Sequence, residues 1–215
     1  MARKTSPPKP TTVLLVRHGT TGTTGKVLPG RAKGLHLADA GISQAERAAA
    51  RILELKQVDA VYCSPLERAR ETAAPIGKAL GIRPTVERGL IECDFGEWTG
   101  VELKQLMKLP EWRTVQQAPS TFRFPGGESF TEMQVRIVSA LDKLRSSHSG
   151  GTIVCVSHAD PIKAAVAHAV GTHLDLFQRI VISTCAISVM AWTPAGPIVL
   201  AVNSTGESLK ELAPS

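Results

Sequence analysis

Apolar runs that read as strands alternate along this chain with segments whose apolar residues recur at helical spacing. That alternation constrains the fold more than any other feature. Val13–Val16, Val58–Cys63 and Thr152–Ser157 are strand candidates. A continuous apolar run fits a strand covered on both faces. Ile42, Ala45, Ala49, Ile52 and Leu53 keep helical spacing, and Leu66–Leu80 reads as a helix that Pro75 should kink or interrupt. Val86 lies in a short extended segment. Ser129-Phe130-Thr131-Glu132 has the pattern of a capping box and opens a helix turning Val135, Val138, Leu141 and Leu144 inward. After Thr152–Ser157, Asp160 reads as an N-cap, Pro161 as the first helical residue and Gly171 as the stop. Ala186–Trp192 and Pro197–Val202 flank Pro194-Ala195-Gly196 as a hairpin. The expectation is an α/β fold, a mainly parallel sheet covered by helices.

The chain has 215 residues, with no internal repeat and no linker composition. One domain over 11–215 is the simplest organisation, preceded by a basic, Pro-rich, disordered tail over 1–10. No apolar stretch is long enough for a membrane span, and the N-terminus lacks a signal-peptide core. A cytoplasmic protein without membrane partners is expected. The net charge of +6 favours anionic partners. Without finger spacing, an aromatic sheet motif or a basic helix, nucleic acid is not expected, and small anionic molecules fit better. Cys63, Cys93, Cys155 and Cys185 are widely spaced, which argues for reduced, buried thiols and against a metal site.

The first strand ends in Arg17-His18-Gly19. Ligand sites of open α/β sheets form at the carboxyl ends of strands. Arginine offers an oxyanion a fixed fork of donors, and a neutral imidazole can act as a nucleophile. Gly19 to Lys26 resembles a phosphate loop superficially, but Thr20 stands where the first glycine belongs and Val27 replaces the required Ser or Thr. No Gly-x-Ser-x-Gly elbow is present, so serine hydrolase chemistry has no support.

Further motifs follow in order. Gly41-Ile42-Ser43-Gln44-Ala45, Ser64-Pro65-Leu66-Glu67-Arg68-Ala69-Arg70-Glu71-Thr72-Ala73, Leu90-Ile91-Glu92 with Phe95-Gly96-Glu97-Trp98-Thr99-Gly100, Pro125-Gly126-Gly127-Glu128-Ser129 and Val156-Ser157-His158 accompany Arg17-His18-Gly19-Thr20-Thr21. Together they resemble the histidine phosphatase superfamily, in its phosphoglycerate-mutase-like branch. The resemblance implies a three-layer α/β/α sandwich with a mostly parallel six-stranded sheet. It also implies a metal-independent phosphomonoesterase, without cofactor, working through a phosphohistidine on a small phosphorylated metabolite. In that reading His18 is the nucleophile, Glu92 the acid and base, and Arg17, Arg68 and His158 the phosphate cradle. Thr24, Gly30 and Ala159 join the phosphate-binding set. Cationic neighbours keep His18 unprotonated, and the phosphate charge holds the Glu92 pKa near working pH. Asp94 and Glu97 are rivals for the role of Glu92.

Three departures stand out. Thr24 replaces an Asn frequent in the family, Ala38 replaces a helix-capping Thr, so that cap is missing or shifted to Asp39, and Ala159 replaces a Gly. The segment typical of true phosphoglycerate mutases is absent between Trp98 and Pro125, which ranks a phosphotransferase below a phosphatase. A phospho-ligand binder without turnover ranks lower still. A homodimer, common in the family, stays open. Arg31, Lys33 and Lys163 are read as solvated charges or as contacts to a second anionic group. Glu128 and Ser129 either reach the site or act locally.

Overall fold

The computed structural model describes residues 9–206 and Leu209. Residues 1–8 of the expected tail lie outside the described residues. Six strands form one sheet: β1 (Thr11–Arg17), β2 (Ala60–Cys63), β3 (Thr85–Val86), β4 (Thr152–Ser157), β5 (Ile187–Thr193) and β6 (Gly196–Ser204), in the order β3-β2-β4-β1-β5-β6. β1, β2, β3 and β4 run parallel, and β5 is antiparallel to both β1 and β6. This is the α/β fold with a mainly parallel sheet that the alternation implied, with the six strands that the family resemblance implied.

Among the described residues six α-helices accompany the sheet: α1 (Asp39–Leu53), α2 (Glu67–Leu80), α3 (Leu103–Leu106), α4 (Glu111–Gln117), α5 (Phe130–Ser147) and α6 (Ala159–Ala169). Successive strand side chains point to opposite faces, and β1 divides accordingly. Leu14 and Val16 pack with Ile52 of α1 and with Ala69, Ala73 and Ile76 of α2. Val13 and Leu15 belong to the core formed by α5, α6 and an aromatic group that includes Phe95, Phe124 and Phe130. Both faces of the central strands are therefore covered, which is why their sequences are apolar without alternation.

Several sequence expectations need correction. α6 begins at Ala159 with His158 as its N-cap, so Asp160 and Pro161 are its second and third residues. Proline fits there because the first amides of a helix have no intrahelical acceptor. α2 runs through Pro75 without interruption. Val135 is exposed rather than inward, as are Ile42 and Leu53. Val135 lies two residues from both Met133 and Ile137, each buried, and two residues is about 200° around a helix. α3 and α4 are short helices with one buried residue each, too few to mark a period in the sequence. Asp39 does not cap α1: Ala38 is its N-cap, with no side-chain bond. The capping box at Ser129 and Glu132 is formed in full, and all four cysteines are free and buried.

Candidate active site

The register of β1 and β4 sets the site. Arg17 pairs with Ser157, so the next residues, His18 and His158, emerge side by side at the carboxyl ends of the two strands. The His18 amide donates to the Ser157 carbonyl (2.9 Å), and the two imidazole centroids lie 5.1 Å apart. β2 flanks β4 on its other side, with Cys63 opposite Val156. The turn after β2 delivers Ser64 and the first turn of α2, which carries Arg68. Three strand ends thus converge.

Local packing explains the motif residues. A Cβ on Gly19 would sit 2.6 Å from the Gly41 carbonyl, and one on Gly41 only 2.1 Å from the Thr20 carbonyl. The two glycines let the chain after His18 cross the first turn of α1 in backbone contact. Gln44 Oε1 then accepts from the Thr20 amide (2.9 Å). Thr72 takes the Gly19 amide (3.0 Å) and donates back to the Arg68 carbonyl (2.7 Å). The glycine, glutamine and threonine of these motifs hold the loop that holds His18.

His18 is 4% exposed. Its Nδ1 lies 2.8 Å from the Gly19 carbonyl, and its Nε2 lies 3.2 Å from Arg68 Nε. A carbonyl can only accept and a guanidinium can only donate, so Nδ1 carries the proton and Nε2 presents its lone pair. Burial, then the charges of Arg68 and Arg17, lower the His18 pKa to about 3. The imidazole is neutral at any physiological pH.

The cations around it are fixed by the main chain. Arg17 Nη1 donates to the Ile182 carbonyl (2.6 Å) and Arg68 Nη2 to the Gly30 carbonyl (2.8 Å). His158 Nε2 is 2.7 Å from the Ser64 hydroxyl. Arg17 Nε, Arg68 Nη1 and His158 Nδ1 are buried and have no hydrogen-bond partner among the described residues. Buried polar groups are nearly always bonded, so each exception calls for an explanation. Three nitrogens of one small neighbourhood share this condition.

Glu92 is 6% exposed, and its Oε1 accepts from the Cys93 amide (2.9 Å). Burial and the nearby Asp160 carboxylate push its pKa up to about 7, against the opposing pull of Arg68 and Arg17. Its Oε2 lies 3.9 Å from His158 Nδ1. That contact is not an ion pair, because burial, with the charge of Arg68, also drives the His158 pKa well down, and each group is pushed toward its neutral form.

The main chain of Glu92 is clamped by two arginines that sequence reasoning did not place. Arg136 Nη2 and Arg31 Nε both donate to the Glu92 carbonyl (3.2 and 3.0 Å). Arg136 also reaches the Gly89 and Ile91 carbonyls and binds the Glu128 carboxylate through Nε and Nη2. All five of its N–H donors are engaged. Glu128 ties in Arg31 as well (2.9 Å). Helical spacing alone would have left Arg136 as a surface residue of α5. The signal available was Glu128, eight residues before it and already singled out in its motif.

The remaining candidates fall out as follows. Gly30 contributes its carbonyl to Arg68. Thr24 turns its hydroxyl to the Thr21 amide and hydroxyl (2.9 and 3.0 Å), closing its own loop. Ala159 is the first residue of α6 and is not among the positive-φ residues, so its Cβ is tolerated. Asp94 pairs with Arg31 (3.1 Å), and Ser129 caps α5. Lys163 bonds Asp160 and Gln178, each at 3.1 Å, and Lys33 is exposed. Among the described residues no group of three or more His, Cys, Asp or Glu side chains is arranged to hold a metal ion. No described helix is long and apolar enough to cross a membrane.

The chain is similar in sequence and fold to several known proteins. A bifunctional protein of Mycobacterium tuberculosis, Rv2228c, is 30% identical over 205 residues, a match covering 92% of this chain and 55% of that protein. The chain thus spans about half the length of that relative. Phosphoserine phosphatase 1 of Hydrogenobacter thermophilus is 32% identical over 181 residues, covering 82% of this chain and 85% of that protein. A solved structure of a phosphoserine phosphatase mutant from Entamoeba histolytica in complex with phosphoserine superposes with a TM-score of 0.82 at 26% identity, covering 91% of this chain and 98% of that one. The family model of the histidine phosphatase superfamily (branch 1) matches residues 13–205, and the chain belongs to that superfamily.

Proposed function

We propose that residues 11–215 form one catalytic domain that hydrolyses phosphomonoesters of small metabolites through a phosphohistidine on His18. One observation carries this reading. The neutral Nε2 of His18 presents its lone pair beside Arg17 Nε, Arg68 Nη1 and His158 Nδ1, three buried nitrogens without partners in the chain. In this reading a phosphoryl group bound there supplies the acceptors these nitrogens lack and is attacked by Nε2. Donors fixed in place before the reaction are the main source of stabilisation for such a transition state.

In the first step the Nε2 lone pair forms the N–P bond and the ester P–O bond breaks. The carboxyl proton of Glu92 passes to the leaving oxygen. In the second step water attacks phosphorus, Glu92 takes the water proton, the N–P bond breaks and its electron pair returns to Nε2. The amide of Cys93 and the carbonyl clamp of Arg136 and Arg31 hold Glu92 for both transfers. A pKa of about 7 suits a group that must give and then take a proton near neutral pH.

Water as acceptor makes the protein a phosphatase, and a second phosphoester as acceptor would make it a mutase. The relatives described as phosphoserine phosphatases support the hydrolytic reading. Incubation with 3-phosphoglycerate and 2,3-bisphosphoglycerate in the presence of EDTA separates the two. The expected result is phosphate release outpacing isomerisation, at a rate that EDTA leaves unchanged. Isomerisation faster than phosphate release would contradict hydrolysis as the main activity.

A further inference from the structure

We infer that Ser64 is a positioning residue: its hydroxyl holds His158 in the neutral tautomer with the proton on Nδ1, so that His158 meets the phosphoryl group as an uncharged hydrogen-bond donor. The inference rests on the phosphohistidine reading above, which sets the phosphoryl group against His158.

Ser64 follows directly on β2, and its amide donates to the Val156 carbonyl of β4 (2.9 Å). That bond seats it against the strand end from which His158 emerges. Both residues are fully buried, at 0% exposure. The Ser64 hydroxyl oxygen lies 2.7 Å from His158 Nε2 and accepts from the Leu66 amide (3.4 Å).

A serine hydroxyl has one proton to give, and each imidazole nitrogen either donates or accepts. With a proton on Nε2, His158 would donate to Ser64, and the hydroxyl proton would be buried with no acceptor among the described residues. A buried donor without an acceptor is costly. Nδ1 would then turn a lone pair toward the phosphate oxygens. With Ser64 donating to Nε2, every proton at this junction is used except the one on Nδ1. That nitrogen has no partner among the described residues and lies 3.9 Å from Glu92 Oε2, so it is the donor left for a ligand. An imidazolium would orphan the same hydroxyl proton and add a charge beside Arg68; burial and Arg68 also hold the His158 pKa well below its usual value. The two histidines therefore share a tautomer and use it in opposite senses. His18, tied through Nδ1 to the Gly19 carbonyl, offers phosphorus its Nε2 lone pair, whereas His158, tied through Nε2 to Ser64, offers phosphate its Nδ1 proton.

Nitrogen-15 NMR of histidine-labelled protein near neutral pH tests this, with the His158 signals assigned by their loss in His158→Asn. The expected pattern for the unaltered protein is a protonated Nδ1 and an unprotonated Nε2. Ser64→Ala should abolish that pattern and lower kcat/KM about 100-fold, the scale for loss of one fixed oxyanion donor. In the His158→Asn background Ser64→Ala should cost nothing further, as expected of a residue that acts only through His158. A proton on His158 Nε2 in the unaltered protein would overturn the inference, even if Ser64→Ala failed to fold. So would an unchanged pattern in Ser64→Ala, or a cost that adds in full to that of His158→Asn. Each of these results leaves the phosphatase reading intact. That reading would instead fail if the unaltered protein released no phosphate from any phosphomonoester, a result on which the ring signals do not depend.

Discussion

Glu92 must be an acid in one half of the proposed reaction and a base in the other, and its surroundings are arranged for that conflict. Burial and Asp160 favour the protonated form, while Arg68, Arg17 and the Cys93 amide favour the ionised one. The sign of the outcome fixes the pH dependence. A carboxyl group raised to about 7 holds its proton below that pH and loses it above. For the first step, which needs the acid, kcat/KM for an alkyl phosphate is therefore expected to fall about tenfold per unit above roughly pH 7. Glu92→Gln should remove that limb and lower kcat by about 100- to 10,000-fold. An unaltered limb in the variant would assign it to another group. His18 adds no limb in this range, because its pKa of about 3 leaves it neutral throughout.

The crossing of the loop after β1 with the first turn of α1 shows how an element positions a nucleophile. Gly41 lies inside α1, where alanine would ordinarily be favoured by about 1 kcal/mol. Here the added Cβ would meet the Thr20 carbonyl at 2.1 Å, so either the helix or the loop has to shift. Loop displacement carries His18 with it, and misplacement of about 1 Å can cost 100-fold in rate. Gly41→Ala is thus expected to lower kcat/KM by one to two orders of magnitude and to lower Tm, despite the better helix propensity. Kinetics and a thermal melt read both effects. A variant as active as the parent and more stable would refute the role assigned to the crossing. Similar logic separates α5 from α6. The Ser129 capping box fixes where α5 begins, whereas His158 is itself the N-cap of α6, so the end of β4 needs no separate loop to place its imidazole.

At the scale of the whole molecule, the architecture was legible because strands covered on both faces leave continuous apolar runs, and because the chemistry sits at their carboxyl ends. That Arg17, His18, Arg68, Glu92 and His158 come together was legible in their motifs, and the roles proposed for them rest on the reading given above. What escaped the sequence depends on surfaces no periodicity encodes. Ile42 keeps helical spacing with Ala45 and Ala49 but is half exposed, because the chain crossing α1 at that turn packs on Gly41, one position around the helix. α3 and α4 are short segments bearing Leu106 and Val115 as their buried residues, too few to establish a period. Arg136 and Ser64 carry no distinguishing spacing, and their importance comes from carbonyls and an imidazole brought in by distant parts of the chain. Thr24, the candidate phosphate contact of the sequence, has its hydroxyl bonded to the Thr21 amide and hydroxyl, a local arrangement that no spacing encodes.

The claim beneath all of this is that the Nε2 lone pair of His18 accepts the phosphoryl group. Rapid quenching with a ³²P-labelled phosphomonoester, followed by denaturation at alkaline and acidic pH, addresses it most directly. The account predicts about one label per chain, stable in base, lost in acid, located on the peptide containing His18 and absent from His18→Ala. Equal labelling of His18→Ala, or a label that resides on another residue, would contradict it.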